Sequence, residues 1–272
     1  MNSAGRSAHQ NITPLQPSLR CQLQYSERLL KWNPFSKKNL ALCYQFKTGE
    51  SGKPIRLIPD ACLDFLFHCN EDNPSAIISG IQTIPYDLEL EPNSVYFGFK
   101  PYSLMGMKQL PIAWHEILDN KISFSEQFGN TRIIEALASL NTFEDRVEAI
   151  QSFALDAMIN AGYTPDFVEL SELYICNEKG NVKMDTLNEY TGYTGRYCRE
   201  KFKEALGISI KSYANIMRFQ NAVRGLFNAQ NDDCLSDVVF DNGYFDQSHL
   251  NREFRRYSGE PPLSYRREYL SR

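Results

Sequence analysis

Two short polar segments near the C-terminus carry the residues best suited to chemistry, and that chemistry is recognition of base edges. Arg196, Arg199 and Glu200 lie in one segment; Gln247, Ser248, His249 and Arg252 lie in the other. Arginine can donate to O6 and N7 of guanine together, glutamine can engage N6 and N7 of adenine, and a carboxylate can accept from N4 of cytosine. A good bidentate pair discriminates between bases by about 1–3 kcal/mol. Lys201, Lys203, Arg255 and Arg256 follow in the same segments. With Thr194 they suit phosphate oxygens, which supply affinity and salt dependence without sequence information.

The elements that must position these side chains read as copies. Gly192-Tyr193 leads through Arg196 and Phe202 to Gly207, and Gly243-Tyr244 leads through Gln247 and Phe254 to Gly259. Ser209, Ser212 and Tyr213 extend the first copy, and Pro261, Ser264 and Tyr265 the second. Later landmarks such as Phe202 and Phe254 are 52 positions apart, but the Gly-aromatic corners are 51 apart, which places one inserted residue in the second recognition segment. A corner, a polar helix and a terminating Gly are the marks of a helix-turn-helix, whose second helix presents its N-terminal residues to the major groove. Helices are expected at Val182–Tyr190 and Arg196–Leu206, then Leu235–Asp241 and Gln247–Tyr257, with a short one at Leu263–Tyr269. Between the units, Ile216, Phe219, Val223 and Leu226 recur at helical spacing, so Lys211–Ala229 is expected to be one amphipathic helix. About 19 residues at 1.5 Å each give roughly 28 Å, the scale of the ~34 Å between successive major grooves on one DNA face.

Charge partition fits this placement. The chain of 272 residues carries a net −4, which taken alone argues against nucleic-acid binding. Residues 1–180 hold 15 Lys and Arg against 21 Asp and Glu, whereas residues 181–272 hold 14 against 12, so the repeat sits on the positive side. The seven cysteines, Cys21, Cys43, Cys62, Cys69, Cys176, Cys198 and Cys234, include no CxxC pair and read as reduced thiols. His68-Cys69 beside Cys62 lacks a second ligand group at metal spacing, so no metal or cofactor is expected. No apolar run approaches the roughly 20 residues of a membrane span, and the polar N-terminus lacks a secretory core, so a cytoplasmic protein without membrane association is expected.

The expected fold class is α+β. Residues 1–20 are expected to form a flexible N-terminus and residues 21–120 a β-rich domain. Leu40–Phe46, Cys62–Phe67, Ala76–Ile81 and Val95–Phe99 alternate there with turn residues. Residues 121–165 carry two helical stripes, Ile133, Ile134, Leu137, Leu140 and then Val147, Ile150, Phe153, Ala154, Met158, with Thr142 as an N-cap between them. This helical hairpin is expected to serve dimerisation or contact between domains. Residues 166–180 are expected as the linker, and residues 181–272 as the all-α domain with two helix-turn-helix units.

The run from Gly243 to Gly259, GYFDQSHLNREFRRYSG, followed by Pro262, Ser264, Tyr265 and Arg266, resembles the signature of the AraC/XylS family of bacterial transcriptional regulators. Gly192, Tyr193, Arg196, Phe202, Gly207, Lys211, Arg218-Phe219-Gln220 and Ala222 are similar to the family's other unit. The likeness covers about 90 residues and implies that Arg196, Arg199, Glu200 and Gln247, Ser248, Arg252 face bases. It also implies a transcription regulator, more often an activator, whose partners are double-stranded promoter DNA and RNA polymerase, with a small-molecule effector or partner protein and a homodimeric state in view. Glu200, Asn188 and Ile210 depart from the family pattern, which points to a weaker first unit. Pro59-Asp60-Ala61-Cys62-Leu63-Asp64, Ser79-Gly80 and Phe97-Gly98-Phe99 resemble the cupin-like sensor domains of one branch. That domain would bias the DNA-binding state, through an effector whose binding residues the sequence does not name.

Two other function classes stand beside this one. An interaction protein with little DNA affinity is motivated by Glu200 and the small net charge. A cupin-like enzyme with a DNA-binding appendage is disfavoured, because His68 and His115 do not form the His-x-His pair of a metal cupin and no GxSxG, Walker or HExxH motif is present. The chain is therefore expected not to be an enzyme. Asp60 and Asp64, at alternating strand positions, are read as turn caps or solvent-facing acids, with a role in a ligand pocket as the alternative.

Overall fold

The computed structural model describes residues 14–34, 40–103, 107, 113–129, 131–164, 166–229 and 235–270. The N-terminal half is built on two antiparallel sheets. Strands β1 (Leu23–Lys31), β2 (Leu40–Lys47), β3 (Ile55–Leu57), β4 (Asp64–His68), β5 (Ser75–Ser79), β6 (Tyr86–Leu88), β7 (Val95–Pro101) and β8 (Lys121–Ser123) are arranged as β1-β2-β7-β4-β5-β8 and β3-β6. Alternation divides the apolar residues between two layers. Tyr44, Phe46, Leu66 and Tyr96 point toward Ile55, Leu57 and Leu88 of the small sheet, enclosing the interior of the β domain. Cys43, Phe65, Phe67, Phe97 and Phe99 point the other way and pack against helices.

Those helices are α2 (Phe124–Phe128), α3 (Arg132–Ser139) and α4 (Phe143–Phe153), the last extended by one π turn, Ala154–Met158. Thr142 caps α4 by accepting from the Asp145 amide at 3.1 Å. Of the expected stripe residues, Ile133, Ile134, Leu137, Val147, Ile150, Ala154 and Met158 are buried and join the core on the sheet's outer face, while Leu140 and Phe153 are half-buried. Arg146, buried within the hairpin, donates to the Leu137 and Leu140 carbonyls and to Gln45 Oε1 of β2. The hairpin's apolar stripe is thus spent on its own sheet.

Two segments differ from the sequence expectation. Residues 14–20, placed in a flexible terminus, are anchored: Leu15 and Gln16 are buried and Pro17–Arg20 forms the short helix α1. Gln16 donates to the Ile58 carbonyl and accepts from its amide, replacing a missing strand partner. Composition alone suggested a polar leader, but long-range hydrogen bonds hold this stretch. Residues 166–180, read as a linker around a short helical stretch, hold the 11-residue helix α5 (Phe167–Asn177), capped by Asp166, which accepts from the Val168 and Glu169 amides, and this helix packs into the core. Its acids look solvent-facing in sequence, yet Glu169 and Glu172 are buried. Glu172 accepts from Ser103 Oγ at 2.5 Å and from the Tyr213 hydroxyl at 3.2 Å, so burial is offset by hydrogen bonds across the molecule.

The C-terminal third is all helix: α6 (Met184–Thr191), α7 (Gly195–Leu206), α8 (Ile210–Asn228), α9 (Leu235–Asp241), α10 (Gln247–Ser258) and α11 (Pro262–Leu270). α8 is the expected long helix, with Ile216, Phe219, Val223 and Leu226 buried. One continuous apolar cluster runs from the β domain through α5 to α11. Among the described residues Cys21, Cys43, Cys62, Cys69, Cys176 and Cys198 form no disulfide, and Cys234 lies outside the described residues. Among the described residues no helix is long and apolar enough to cross a membrane, and no group of three His, Cys, Asp or Glu could hold a metal ion.

Candidate nucleic-acid interface

Each unit is a short bracing helix followed by a 12-residue helix, α6 before α7 and α9 before α10. Thr194 caps α7 by accepting from the Tyr197 amide, and Asp246 caps α10 by accepting from the His249 amide at 2.7 Å. Gly207 and Gly259 end the two helices at φ +76° and +90°, a left-handed conformation that a side chain would strain. Phe202 and Phe254 are fully buried at matching places and pin the helices to the core. Since the caps are 52 positions apart and the corners 51, the extra residue is Phe245, which lies between corner and cap, outside the recognition helix itself.

The predicted base-reading residues fall on the open faces. Arg196, Arg199 and Glu200 are exposed on α7, and Gln247, Ser248 and Arg252 on α10. His249 is half-buried instead, with its ring edge-on to Tyr244 and its Nδ1 facing the Phe245 amide at 3.5 Å. Thr194, Lys201, Lys203, Arg255 and Arg256, the expected phosphate contacts, are exposed as well.

The two faces differ in how far their charges are already spent. On α7, Arg196 Nε donates to Glu200 Oε1 at 2.9 Å, and Lys201 Nζ to Glu204 Oε2 at 2.7 Å. The Glu204 hydrogen bond and charge hold the Lys201 ammonium above its ordinary pKa. On α10 no salt bridge among the described residues engages Arg252, Arg255 or Arg256.

A network unforeseen in the sequence fastens α10 to α8. Glu253 accepts from Arg218 Nη2 and from the Tyr244 hydroxyl, both at 2.5 Å, and the Arg218 guanidinium lies 5.0 Å from the Tyr244 ring centre. Burial raises the Tyr244 pKa well above its ordinary value, and the Glu253 carboxylate adds to the rise. A lone Glu amid Arg residues at 252, 255 and 256 was the available signal. Arg266 of α11 then closes the last turn of α8 by donating to the Leu226 and Ala229 carbonyls. In the first unit, Asn188 is accommodated because its amide approaches Gly195, where a Cβ would stand 3.0 Å from Nδ2.

Residues 187–268 match the family model of a helix-turn-helix domain. Those residues form a helix-turn-helix domain. HTH-type transcriptional regulators of Staphylococcus aureus, for example of strain MSSA476, are 26% identical over 86 residues, 32% of this chain and 11% of their own length. The HTH-type transcriptional regulator YtdP of Bacillus subtilis (strain 168) is 24% identical over 172 residues, 61% of this chain and 21% of its own. The matched stretch is therefore a small part of these relatives. The structure of ToxT from Vibrio cholerae O395 aligns with 89% of this chain and 96% of its own at 11% identity and a TM-score of 0.44.

The β domain joins the helix-turn-helix domain at defined atoms. Gln220 of α8, 1% exposed, accepts from the Leu15 amide at 2.8 Å and donates to the Pro59 carbonyl at 2.7 Å. One residue on, Asp60 enters a buried charged group. Lys100 Nζ lies 2.5 Å from Asp60 Oδ2 and 3.2 Å from Asp64 Oδ2, Gln16 donates to Asp60 at 3.0 Å, and the Tyr44 hydroxyl donates to Asp64 at 2.7 Å. Gly98 makes room for this arrangement, since a Cβ there would come within 2.1 Å of the Tyr44 ring. Burial alone would lower the Lys100 pKa, but Asp60 and Asp64 outweigh it and hold the ammonium well above its ordinary value. Asp60 and Asp64 are therefore neither solvent-facing nor mere turn caps, although Asp60 Oδ1 does accept from the Cys62 amide. The sequence put both at alternating strand positions, but Asp64 opens β4 while Asp60 lies before it outside any strand, and the distant lysine that satisfies them left no local mark.

Proposed function

We propose that this protein is a sequence-specific, double-stranded-DNA-binding regulator of transcription. In this reading α7 and α10 enter two adjacent major grooves, with Arg196, Arg199 and Glu200 reading one half-site and Gln247, Ser248 and Arg252 the other. Thr194, Lys201, Lys203, Arg255 and Arg256 engage phosphates. The observation that carries the reading is the pair of equally long, equally capped helices whose polar reading residues are exposed while their phenylalanines are buried. A brace that hides its apolar side and leaves arginines open at the helix mouth suits a charged groove.

The second unit supplies most of the affinity, because its arginines carry no acidic partner while Arg196 must first leave Glu200. The β domain biases the binding state through Gln220 of α8, which donates to the Pro59 carbonyl, and Glu172 of α5, which accepts from Ser103 and Tyr213. Activation by contact with RNA polymerase belongs to the same reading, as does an effector acting on the β domain.

Equilibrium binding to duplex DNA at several salt concentrations tests the reading. A steep fall of affinity with salt supports it, because each neutralised phosphate releases counterions. Absence of binding at low salt would favour the interaction-protein reading, which the Arg196–Glu200 pair also motivates.

A further inference from the structure

Phe245 is the residue by which the second unit exceeds the first, and it is 92% exposed. Its neighbour Tyr244 is only 5% exposed, so the core role of the Gly-aromatic corner is already filled. Phe245 is nevertheless held in place. Its amide faces His249 Nδ1 at 3.5 Å, and the next residue, Asp246, caps the helix through the His249 amide. Phe245 therefore stands at the mouth of α10, directly before the N-cap Asp246 and the exposed Gln247 and Ser248, on the helix whose Arg252 and Arg255 are engaged by no salt bridge among the described residues. Full exposure of a phenylalanine carries a hydrophobic cost that packing within this chain does not relieve. At a recognition-helix N-terminus the apolar group within reach is the C5-methyl of thymine, the one apolar feature of the major-groove edge.

We propose that Phe245 is a specificity-determining residue that packs against the methyl group of a thymine in the half-site read by α10. This rests on the reading of α10 as a major-groove helix. It adds to the polar code of Gln247 and Arg252 an apolar contact that the first unit, with Thr194 directly after its corner, does not have.

The test uses the full chain and a duplex selected from random sequence. Each thymine of the second half-site is replaced singly by deoxyuridine, which differs by the missing methyl alone. Wild type is expected to lose about four-fold in affinity at one position, the effect of one buried methyl group. Phe245→Ala is expected to bind the thymine duplex as weakly as wild type binds the uracil duplex, and to bind both equally. Phe240→Ala, which removes another exposed aromatic from the bracing helix α9, should discriminate as wild type does. Thermal unfolding of Phe245→Ala should match wild type, since the side chain packs on nothing. Equal discrimination by wild type and Phe245→Ala, or sequence-selective binding without any methyl-sensitive thymine, would overturn the proposal and leave the α10 reading standing. Failure to select any sequence would overturn both.

Discussion

Arg196 and Glu200 sit one turn apart on α7 with Nε and Oε1 at 2.9 Å, so two of the three residues proposed to read bases in the first unit are engaged with each other. Both are largely exposed, at 85% and 63%, which makes the pair weak and easily exchanged for a base contact. Its effect on DNA is larger than its effect on stability, because the carboxylate also repels phosphate.

Glu200→Gln is therefore expected to tighten binding to the first half-site and to leave unfolding unchanged. In gel-shift titrations Arg196→Ala should cost less affinity than Arg252→Ala. A larger loss for Arg196→Ala would show that the first unit dominates.

Gln220→Leu removes both hydrogen bonds between α8 and the β domain. It leaves the Leu15 amide and the Pro59 carbonyl unpaired at a buried site. About 1–3 kcal/mol of stability should be lost for each unpaired group, measurable by urea denaturation. Limited proteolysis should also cut near residues 14–20 in the variant first.

Lys100→Met strands Asp60 and Asp64 in the β interior. Breaking a buried ion pair in this way should cost about 3–5 kcal/mol at neutral pH. Burial already raises the Asp64 pKa, with Lys100 and Tyr44 opposing the rise, and loss of Lys100 pushes it further up. A carboxyl whose folded pKa exceeds its unfolded value binds protons more readily when folded, so this variant gains stability as pH falls through the folded pKa. Its deficit against wild type should narrow as pH is lowered toward the ordinary carboxylate range, as read from denaturation midpoints.

Arg255→Ala combined with Arg256→Ala tests the phosphate roles. The slope of log affinity against log salt should shrink by about 1.8, near 0.9 for each lost contact, while the preferred sequence stays the same. A change of preferred sequence would place these arginines at bases.

The helix-turn-helix units were legible because their markers are local. A cap, a corner glycine and a buried phenylalanine lie within a few turns of one another, so spacing alone located α7 and α10. β2, β4, β5 and β7 were legible from alternation, whereas β3, β6 and β8 have three residues each and offered too little pattern. The edge strand β1, with most of its residues exposed or half-buried, carried no clear apolar period. The connection between the halves was not legible, since Gln16, Glu172 and Gln220 are polar residues buried by partners 41 to 205 positions away. The half-burial of His249 has a local cause instead: its ring meets Tyr244, across the turn that holds Phe245.

The central claim is that α7 and α10 read DNA together, and selection of bound sequences from random duplex DNA tests it most directly. The account predicts enrichment of two unlike half-sites whose centres lie about one helical turn, roughly 10 base pairs, apart, with the stronger information in the half-site lost by Arg252→Ala. A single half-site, or no enrichment, would contradict it.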